Sequence, residues 1–298
     1  MTHALYGRPP AVFDPPADAT QTSPLIPGSA DLAGFAPGQL DAVTMLAPPG
    51  ALERRHVLAL ALRALKAGGR LDVVAPKDKG GSRLRKELTA FGLEVEETAR
   101  AHHRRCVAVR PEVVNGLDAA IAAGGLQRLG DLGLWSQPGV FSWDRVDPGS
   151  ALLVAHLPPM AGAGADLGCG VGYLARAVLD SPTVTQLTLI DIDRRAIDAA
   201  RRNVEDPRAA FLQADVRQAQ LEGLDFIVTN PPFHDAGAED RGLGQRFIER
   251  AAGMLRPGGV LWLVANRHLP YEAALRAAFK TGRVVAETGG YKLFEARK

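Results

Sequence analysis

The sequence is poor in cysteine and has no long apolar run. Its two cysteines, Cys106 and Cys169, lie far apart and without metal-ligand spacing, which excludes a disulfide framework and favours a reducing compartment. No apolar stretch approaches the ~20 residues that a membrane-spanning helix needs. The first ten residues lack the basic and apolar regions of a secretory leader. We therefore expect a cytoplasmic protein, with neither a membrane nor a metal ion among its partners.

Charge is nearly balanced over the whole chain but not locally. The 298 residues include 35 Lys and Arg against 33 Asp and Glu, for a net charge of +2. Within residues 51–110, however, 14 basic residues face 7 acidic ones. Basic stretches bind nucleic-acid phosphates, although many are only solvated surface. The stretch therefore makes RNA a candidate partner without establishing it.

The order of apolar segments alternates between strand and helix periods, which predicts an α/β fold with helices on the faces of the sheets. We expect a proline-rich surface segment at 1–40, a first domain at 41–110, a connection at 111–140 and a second domain at 141–298. The strands expected in the second domain lie near 162–167, 185–190, 209–213, 224–229 and 260–265, followed by two strands around Gly289-Gly290. This pattern predicts a seven-stranded sheet that ends in an antiparallel hairpin.

The two domains also repeat one another. Lys66-Ala-Gly-Gly-Arg-Leu-Asp-Val-Val-Ala aligns with Arg256-Pro-Gly-Gly-Val-Leu-Trp-Leu-Val-Ala, and Asp41-Ala-Val-Thr-Met-Leu-Ala-Pro-Pro resembles Asp225-Phe-Ile-Val-Thr-Asn-Pro-Pro. Internal repeats of this kind indicate a duplicated structural unit. The sequence predicts two tandem Rossmann-like domains, of which the first is degenerate because only the second has a glycine loop.

The glycine loop is Asp166-Leu-Gly-Cys-Gly-Val-Gly, at a turn between a strand and a helix. Gly168, Gly170 and Gly172 let the backbone come close to a ligand. Their spacing differs from the dinucleotide pattern G-x-G-x-x-G. Asp166 would repel a pyrophosphate but suits a cofactor with a cationic amino-acid end. The loop therefore favours S-adenosylmethionine over NAD. Because the strand before it is Ala161-Gly-Ala-Gly-Ala, we expect that strand to be short or weakly packed.

Two further acidic residues follow strands of the second domain. Asp191 comes about 20 residues after the loop, where a carboxylate can accept hydrogen bonds from ribose hydroxyls. Asp193 beside it fits better as a helix N-cap. Asp215 ends the next strand and can receive the adenine amino group. The alternative for each is a solvated acid at the end of a strand.

Asn230-Pro-Pro-Phe ends the fourth strand of the second domain and predicts methyl transfer to nitrogen. An exocyclic or amide nitrogen is a poor nucleophile because its lone pair is delocalised. The Asn230 side-chain carbonyl and the Pro231 backbone carbonyl can accept its N–H bonds, while Pro231 and Pro232 fix the backbone. Phe233 offers a face for a planar base, worth ~1–3 kcal/mol if the base stacks.

These motifs resemble those of class I methyltransferases that modify exocyclic or amide nitrogens. Together with Pro138-Gly-Val-Phe-Ser, Asp147-Pro-Gly-Ser-Ala-Leu-Leu and Val264-Ala-Asn-Arg-His-Leu-Pro-Tyr, they look like the RsmC-type ribosomal RNA guanine-N2 methyltransferases. The resemblance covers about residues 41–298. It implies S-adenosylmethionine as cofactor and the 2-amino group of a guanine in small-subunit rRNA as target, with ribosomal RNA or the small subunit as partner.

The resemblance also implies a role for each motif residue. Asp166, Gly168 and Gly170 would hold the methionine end of the cofactor, Asp191 its ribose and Asp215 its adenine. Asn230, Pro231 and Phe233 would hold the base. His234, Arg267 and Lys292 are secondary candidates for contact with the base or a phosphate, with structural or solvated roles as the alternative.

Three other functions remain open at this point. The first is methylation of a large-subunit rRNA guanine, which a sister group of the same family performs. The second is methylation of a protein glutamine amide, although those enzymes usually carry Tyr after the prolines and a helical N-terminal domain. The third is a non-catalytic RNA-binding assembly factor that keeps the fold.

Overall fold

The structure is a computed structural model that describes residues 1–131, 133–232 and 242–298 in full, together with the backbone of residues 234–235, 238–239 and 241. The chain divides into two compact units. The first unit is Met1–Leu126 with Gln137–Gly139, and the second is Gln127–Ser136 with Val140–Lys298. Within the described ranges, no helix is both long and apolar enough to cross a lipid bilayer.

The first unit contains a mixed six-stranded sheet in the order β2-β1-β3-β4-β6-β5. Its strands are β1 (His3–Tyr6), β2 (Thr20–Gln21), β3 (Leu40–Leu46), β4 (Leu65–Pro76), β5 (Val95–Arg100) and β6 (His103–Val109), and its helices are α1 (Ala51–Ala64), α2 (Leu84–Ala90) and α3 (Leu117–Gly124). The strands β2, β1, β3 and β4 are parallel, and β6 runs antiparallel to both β4 and β5. Apolar side chains of β3, β4 and α1 form its core.

The N-terminal boundary of the first unit differs from the expectation. Residues 1–40, expected as a surface segment, supply β1 and β2, and β1 pairs with β3 from His3↔Ala42 to Tyr6↔Met45. Strands of four and two residues among prolines are too short to show a period of two, so the pattern missed them. The first domain is therefore larger than 41–110.

The segment 111–140 is also more than a connection. Helix α3 lies against α1 in the first unit, where the Nδ1 of His56 is 2.9 Å from the carbonyl oxygen of Ile121. Two short strands, β7 (Gln127–Leu129) and β8 (Leu134–Ser136), form a hairpin that belongs to the second unit. In β8 the backbone N–H of Trp135 donates to the Asn203 side chain at 2.7 Å, and the Asn203 amide donates back to the Trp135 carbonyl at 2.8 Å.

The second unit contains the predicted seven-stranded sheet, in the order β11-β10-β9-β12-β15-β17-β16. The seven strands of this sheet are β9 (Gly162–Leu167), β10 (Val184–Asp191), β11 (Ala209–Gln213), β12 (Leu224–Thr229), β15 (Leu255–Asn266), β16 (Thr281–Thr288) and β17 (Tyr291–Arg297). The strands β13 (His234–Asp235) and β14 (Ala238–Glu239) pair with each other outside it. Its helices are α4 (Pro148–His156), α5 (Tyr173–Leu179), α6 (Arg194–Asn203), α7 (Arg241–Met254) and α8 (Tyr271–Ala278). The sheet is parallel except for β17, which pairs antiparallel with both β15 and β16.

The central strand β9 was expected to be short or weakly packed, but it has six residues, as many as β12, and it is tightly packed. Gly164 leaves room for the ring of Phe226 on β12, because a Cβ at position 164 would overlap that ring. Side chains tie β9 to its neighbour at both ends. The Ala163 N–H donates to Asp225 Oδ2 at 2.7 Å, and the Thr229 hydroxyl donates to the Leu167 carbonyl at 2.6 Å. These bonds compensate for a strand with little apolar surface of its own.

The strand orders of the two sheets confirm the predicted duplication. Strands β1, β3, β4, β6 and β5 occupy the same relative places as β9, β12, β15, β17 and β16, and β2 takes the place of β10. Within the described residues, the first sheet has no counterpart of β11. The chain thus contains two tandem Rossmann-like domains, and the first is the reduced copy.

A buried arginine organises the first unit next to its Pro-Pro sequence. Arg54 on α1 is 1% exposed and forms two hydrogen bonds of 2.7 Å with the carboxylate of Glu87 on α2. Its Nη1 also donates to the carbonyl oxygens of Pro48 and Pro49, at 3.1 and 2.8 Å. Gly80 has to be glycine here, because it has a φ of +98° and a Cβ would overlap the guanidinium. A single side chain therefore joins α1, α2 and the segment after β3.

We predict that Arg54→Ala destabilises the first unit by about 3 kcal/mol, because it empties a buried site and leaves the half-buried Glu87 carboxylate without its partner. Hydrogen exchange of peptides from β3 and β4 measures this, since all three tryptophans lie in the second unit and tryptophan fluorescence would miss it. The neighbouring variant Arg55→Ala, at an exposed position, is the control and should change stability by at most about 1 kcal/mol. Equal protection in the two variants would contradict the structural role of Arg54.

Candidate active site

The glycine loop lies between β9 and α5, at the carboxyl edge of the second sheet. Gly168, Gly170 and Gly172 all have positive φ, at +74°, +52° and +84°. At Gly172 there is also no space for a side chain, because a Cβ would lie 2.9 Å from Val204 Cγ2. Strand order reverses at β9, with β10 on one side and β12 on the other. The loop therefore occupies the switch point where ligands bind in such sheets.

Asp191 ends β10 and holds the glycine loop in place. Its Oδ2 accepts from the Gly170 N–H and its Oδ1 from the Asp193 N–H, both at 2.9 Å. Burial raises the pKa of Asp191 to about 6, against the stabilising effect of these N–H groups. An ionised carboxylate has about four acceptor positions. Asp191 can therefore also accept hydrogen bonds from the hydroxyl groups of a ligand.

Asp166 is the most unusual ionisable group of the site. Its side chain is 0% exposed, and neither carboxylate oxygen meets hydrogen-bond geometry with any described residue. Burial first, and the negative charge of Asp191 second, raise the pKa of Asp166 to about 8. A buried carboxyl without a partner is unfavourable unless something compensates it. A cationic or hydrogen-bond-donating ligand group at the loop would do so.

Asp215 follows β11 and is already paired. Its carboxylate accepts from the Arg217 backbone N–H at 2.9 Å and from the Arg217 guanidinium at 2.6 Å. Burial opposes ionisation, but the bonds from Arg217 outweigh it and the pKa of Asp215 is lowered. Asp215 is therefore a fixed negative charge whose remaining acceptor positions are available to a donor.

Asn230 follows β12, beside the glycine loop. A Cβ on Gly168 would lie 3.8 Å from Pro232 Cδ, so the loop and the Pro-Pro sequence adjoin. The Asn230 side-chain nitrogen donates to Asp147 Oδ2 at 2.8 Å and is 3.0 Å from Ser150 Oγ. No described residue donates to the Asn230 side-chain oxygen, which leaves it available as an acceptor. Asn230 thus has the orientation that binding of an amine requires.

The remaining candidate residues either lie outside the described residues or have acidic side chains near them. Phe233 and the side chain of His234 lie outside the described residues. Arg267 is exposed, with its Nε 3.9 Å from Glu287 Oε1. Lys292 donates to Glu272 at 2.6 Å. Neither of these two bases is brought to Asn230 or to the loop by a described contact.

Sequence reasoning assigned no site role to Asp147 and Ser150, which hold Asn230. Their sequence, Asp147-Pro-Gly-Ser, is a recognisable helix start, with an N-cap carboxylate and proline at the first helical position. Nothing in that local pattern indicates a partner 83 residues further along the chain. The described residues contain no cluster of three or more metal-ligating side chains.

The first unit lacks these groups at the equivalent positions. Aligning Ala47-Pro-Pro with Asn230-Pro-Pro makes Met45 equivalent to Val228. Since Met45 pairs with Tyr6 and Val228 with Asp166, Tyr6 stands where the second sheet has Asp166. The first unit therefore has neither the buried acid nor the asparagine, and Arg54 occupies the carbonyl groups of its Pro-Pro sequence.

Comparison with known proteins gives one consistent result. The Methyltransferase small domain family matches residues 131–295. Ribosomal RNA small subunit methyltransferase C of Shewanella loihica is 30% identical over 269 residues, which is 87% of this chain and 77% of that protein. The protein of the same name from Pseudomonas aeruginosa (strain LESB58) is 34% identical over 257 residues, which is 84% of this chain and 77% of that protein.

One solved structure is similar over the full length. It is the T. thermophilus 16S rRNA N2 guanine methyltransferase RsmC in complex with AdoMet and guanosine, with a TM-score of 0.81 and 26% identity. The alignment covers 100% of this chain and 88% of that one. The similarity therefore extends over both units and not only over the half that carries the glycine loop.

We predict that the unliganded second unit loses stability as pH rises from about 4 to about 8. The pKa of Asp166, at about 8, and that of Asp191, at about 6, both exceed the unfolded value of about 3.9, so the folded chain binds more protons in this window. Asp166→Asn should flatten this slope and add on the order of a few kcal/mol at pH 8. Urea unfolding followed by tryptophan fluorescence measures it, with the exposed Asp180→Asn as control. The hypothesis fails if both variants keep the wild-type slope.

Proposed function

The chain belongs to the ribosomal RNA small subunit methyltransferase C family, and from this premise we propose that it methylates the exocyclic 2-amino group of a guanine in small-subunit (16S) rRNA, with S-adenosylmethionine as cofactor. The observation that carries the proposal is the side-chain oxygen of Asn230, to which no described residue donates and which lies beside the glycine loop at the switch point of the second sheet. Since the proposed substrate is ribosomal, we place the activity in the cytoplasm.

The residues of the loop fit the cofactor. Asp166 is a buried carboxyl whose oxygens meet hydrogen-bond geometry with no described residue, although the Ala175 N–H acts to lower its pKa, and the cationic methionine amino group of S-adenosylmethionine would compensate it. Gly168 and Gly170 have positive φ angles, which favour glycine, and so the loop has no side chains at these two positions near the methionine end of the cofactor. Asp191 would accept from the ribose hydroxyls and Asp215 from the adenine amino group. Gly172 is the N-cap of α5, where a positive φ and the lack of space for a side chain both favour glycine.

Bound there, S-adenosylmethionine supplies an electrophilic methyl group. The chain's own contribution is orientation. Asn230 Oδ1 and the Pro231 carbonyl oxygen would accept the two N–H bonds of the target amine, which directs the nitrogen lone pair away from the base plane. Pro232 restricts the backbone directly after the two acceptor groups. Phe233 would stack on the base, as the sequence predicts. Holding the reacting groups in line lowers the barrier because the entropy of alignment is lost on binding instead of during reaction.

The first unit supplies a candidate contact for RNA. A groove of about 550 Å³ on this unit is lined by hydroxyl and cationic side chains, with Glu97 at its side. These side chains are Ser82, Arg85, Lys86 and Thr89. Arg104 and Arg105 are less available, because their guanidinium groups pair with Glu97 and Asp72. Hydroxyl and cationic side chains together suit phosphate oxygens. We infer that Arg85 and Lys86 contribute more to RNA affinity than the charge-paired arginines of β6.

We predict that the chain binds one S-adenosylmethionine molecule, since the first unit lacks both the asparagine and the buried acid. Asp191→Ala should weaken binding by about 10- to 100-fold, because hydrogen bonds to a charged group are lost. Titration calorimetry measures stoichiometry and affinity, with the exposed Asp180→Ala as control. A stoichiometry near two, or unchanged affinity in Asp191→Ala, would contradict the proposed site.

We predict that the purified protein transfers labelled methyl groups to a guanine of 16S rRNA in 30S subunits from cells that lack the gene. Mass spectrometry of nuclease fragments locates the product. Asn230→Ala should lower turnover by about 100-fold or more while cofactor affinity stays unchanged, because the lost contact is to the acceptor. Asn115→Ala, at an exposed position of the first unit, is the control.

Parallel reactions separate the alternatives. Label in 50S subunits alone would indicate a large-subunit enzyme, and label in a protein fraction would indicate glutamine-amide methylation. RNA binding without any transfer would indicate a non-catalytic assembly factor. Each of these outcomes would replace the proposed function.

A further inference from the structure

We propose that Asp147 is a positioning residue for methyl transfer, which fixes the orientation of the Asn230 side-chain amide and polarises it toward the target amine. The proposal rests on the proposed function, since it assigns Asp147 a part in the reaction that Asn230 would perform.

Asp147 and Ser150 determine which way the Asn230 side-chain amide faces. Its nitrogen lies 2.8 Å from Asp147 Oδ2 and 3.0 Å from Ser150 Oγ. An ionised carboxylate only accepts hydrogen bonds, so the partner that faces Asp147 has to be the donating nitrogen. If the amide turned over, its oxygen would lie against a negative charge. Asp147 therefore excludes the inverted amide and leaves Oδ1 free of described donors.

Asp147 is itself held rigidly in place. It is the N-cap of α4, where Oδ2 also accepts from the Ser150 backbone N–H at 2.8 Å, and Pro148 follows at the first helical position. Gly149 brings this helix end close to Tyr291 at the start of β17, since a Cβ at 149 would lie 2.8 Å from the ring and 3.0 Å from Asp147 Oδ2. Asp147 is thus held by a helix start that packs on the sheet, and it transmits this fixed position to Asn230.

Asp147 also has an electronic effect on the Asn230 amide. A carboxylate bound to the N–H side of an amide draws electron density toward the amide oxygen, because hydrogen bonds in a chain polarise one another. The bond that Oδ1 accepts from an amine is thereby strengthened. The amine nitrogen gains positive charge as it takes up a methyl group, so a pre-oriented negative end stabilises that change more than it stabilises the bound substrate. Asp147 would therefore act on turnover more than on binding.

The competing explanation is that Asp147 only caps α4. Serine, asparagine and aspartate are comparable N-caps, which allows the two roles to be separated. Asp147→Ser keeps a capping oxygen but is too short to reach Asn230. Asp147→Asn keeps an acceptor for both N–H groups but removes the charge. The control is Asp31→Ser, which alters an exposed N-cap of the first unit whose carboxylate accepts from the Ala33 N–H.

The test measures kcat and KM on 30S subunits, cofactor affinity and thermal stability for the three variants. We expect kcat to fall about tenfold in Asp147→Asn and about 100-fold in Asp147→Ser, with cofactor affinity, KM and melting temperature close to wild type. Asp31→Ser should match wild type in all of them. Turnover of Asp147→Ser within twofold of wild type overturns the proposal. The proposal is also overturned if Asp147→Ser loses both kcat and melting temperature while Asp147→Asn has the kcat of wild type.

A second readout does not depend on activity. In nuclear magnetic resonance spectra the Asn230 side-chain amide protons should be shifted downfield by the carboxylate, and should move upfield in Asp147→Ser but not in Asp31→Ser. Unchanged Asn230 resonances in Asp147→Ser overturn the proposal. If wild-type protein methylates no RNA, the proposed function fails, while these resonances still decide whether Asp147 holds Asn230.

Discussion

The position of β9 between β10 and β12 determines the geometry of the whole candidate site. Its pairing sets Asp166 beside Leu189 on one side and beside Val228 on the other. A shift by one residue would turn every side chain of β9 to the opposite face. The strand has little apolar surface to resist such a shift, so the bonds from Asp225 and Thr229 at its two ends stabilise the register. The glycine loop and the asparagine can adjoin because this one strand is fixed.

The site also shows an unfavourable arrangement that its ligand would relieve. Two buried carboxyl groups, Asp166 and Asp191, lie close enough together that the charge of Asp191 raises the pKa of Asp166. The apolar packing of the surrounding strands stabilises the unit against this cost, and no described base pairs with Asp166. A carboxyl group that is costly to ionise in the unliganded site is favoured in its ionised form once a cationic ligand group binds beside it. Stability and binding therefore oppose one another at Asp166.

The sequence predicted those parts of the fold and site that depend on local patterns. The glycine loop and the strand-end positions of Asp191 and Asn230 follow from spacing, because few residue types permit those turns. Strands β1 and β2 were missed because, at four and two residues, they are too short to show a strand period. The bond between Asp147 and Asn230 was missed for another reason, since it joins residues 83 apart whose pairing depends on how α4 packs against the sheet. Only tertiary structure brings such partners together.

The buried guanidinium of Arg54 has a consequence for the history of the duplicated chain. Arg54 already fills one acceptor position on each carbonyl group of Pro48 and Pro49 and brings a buried positive charge beside them, so exchanging Ala47 for asparagine would not by itself restore an acceptor pocket. Arg54 and Glu87 would have to be lost together, because loss of either alone leaves a buried charge. Recovery of a second centre in the first copy therefore needs coordinated substitutions at Ala47, Arg54 and Glu87, which is an epistatic barrier set by one buried ion pair.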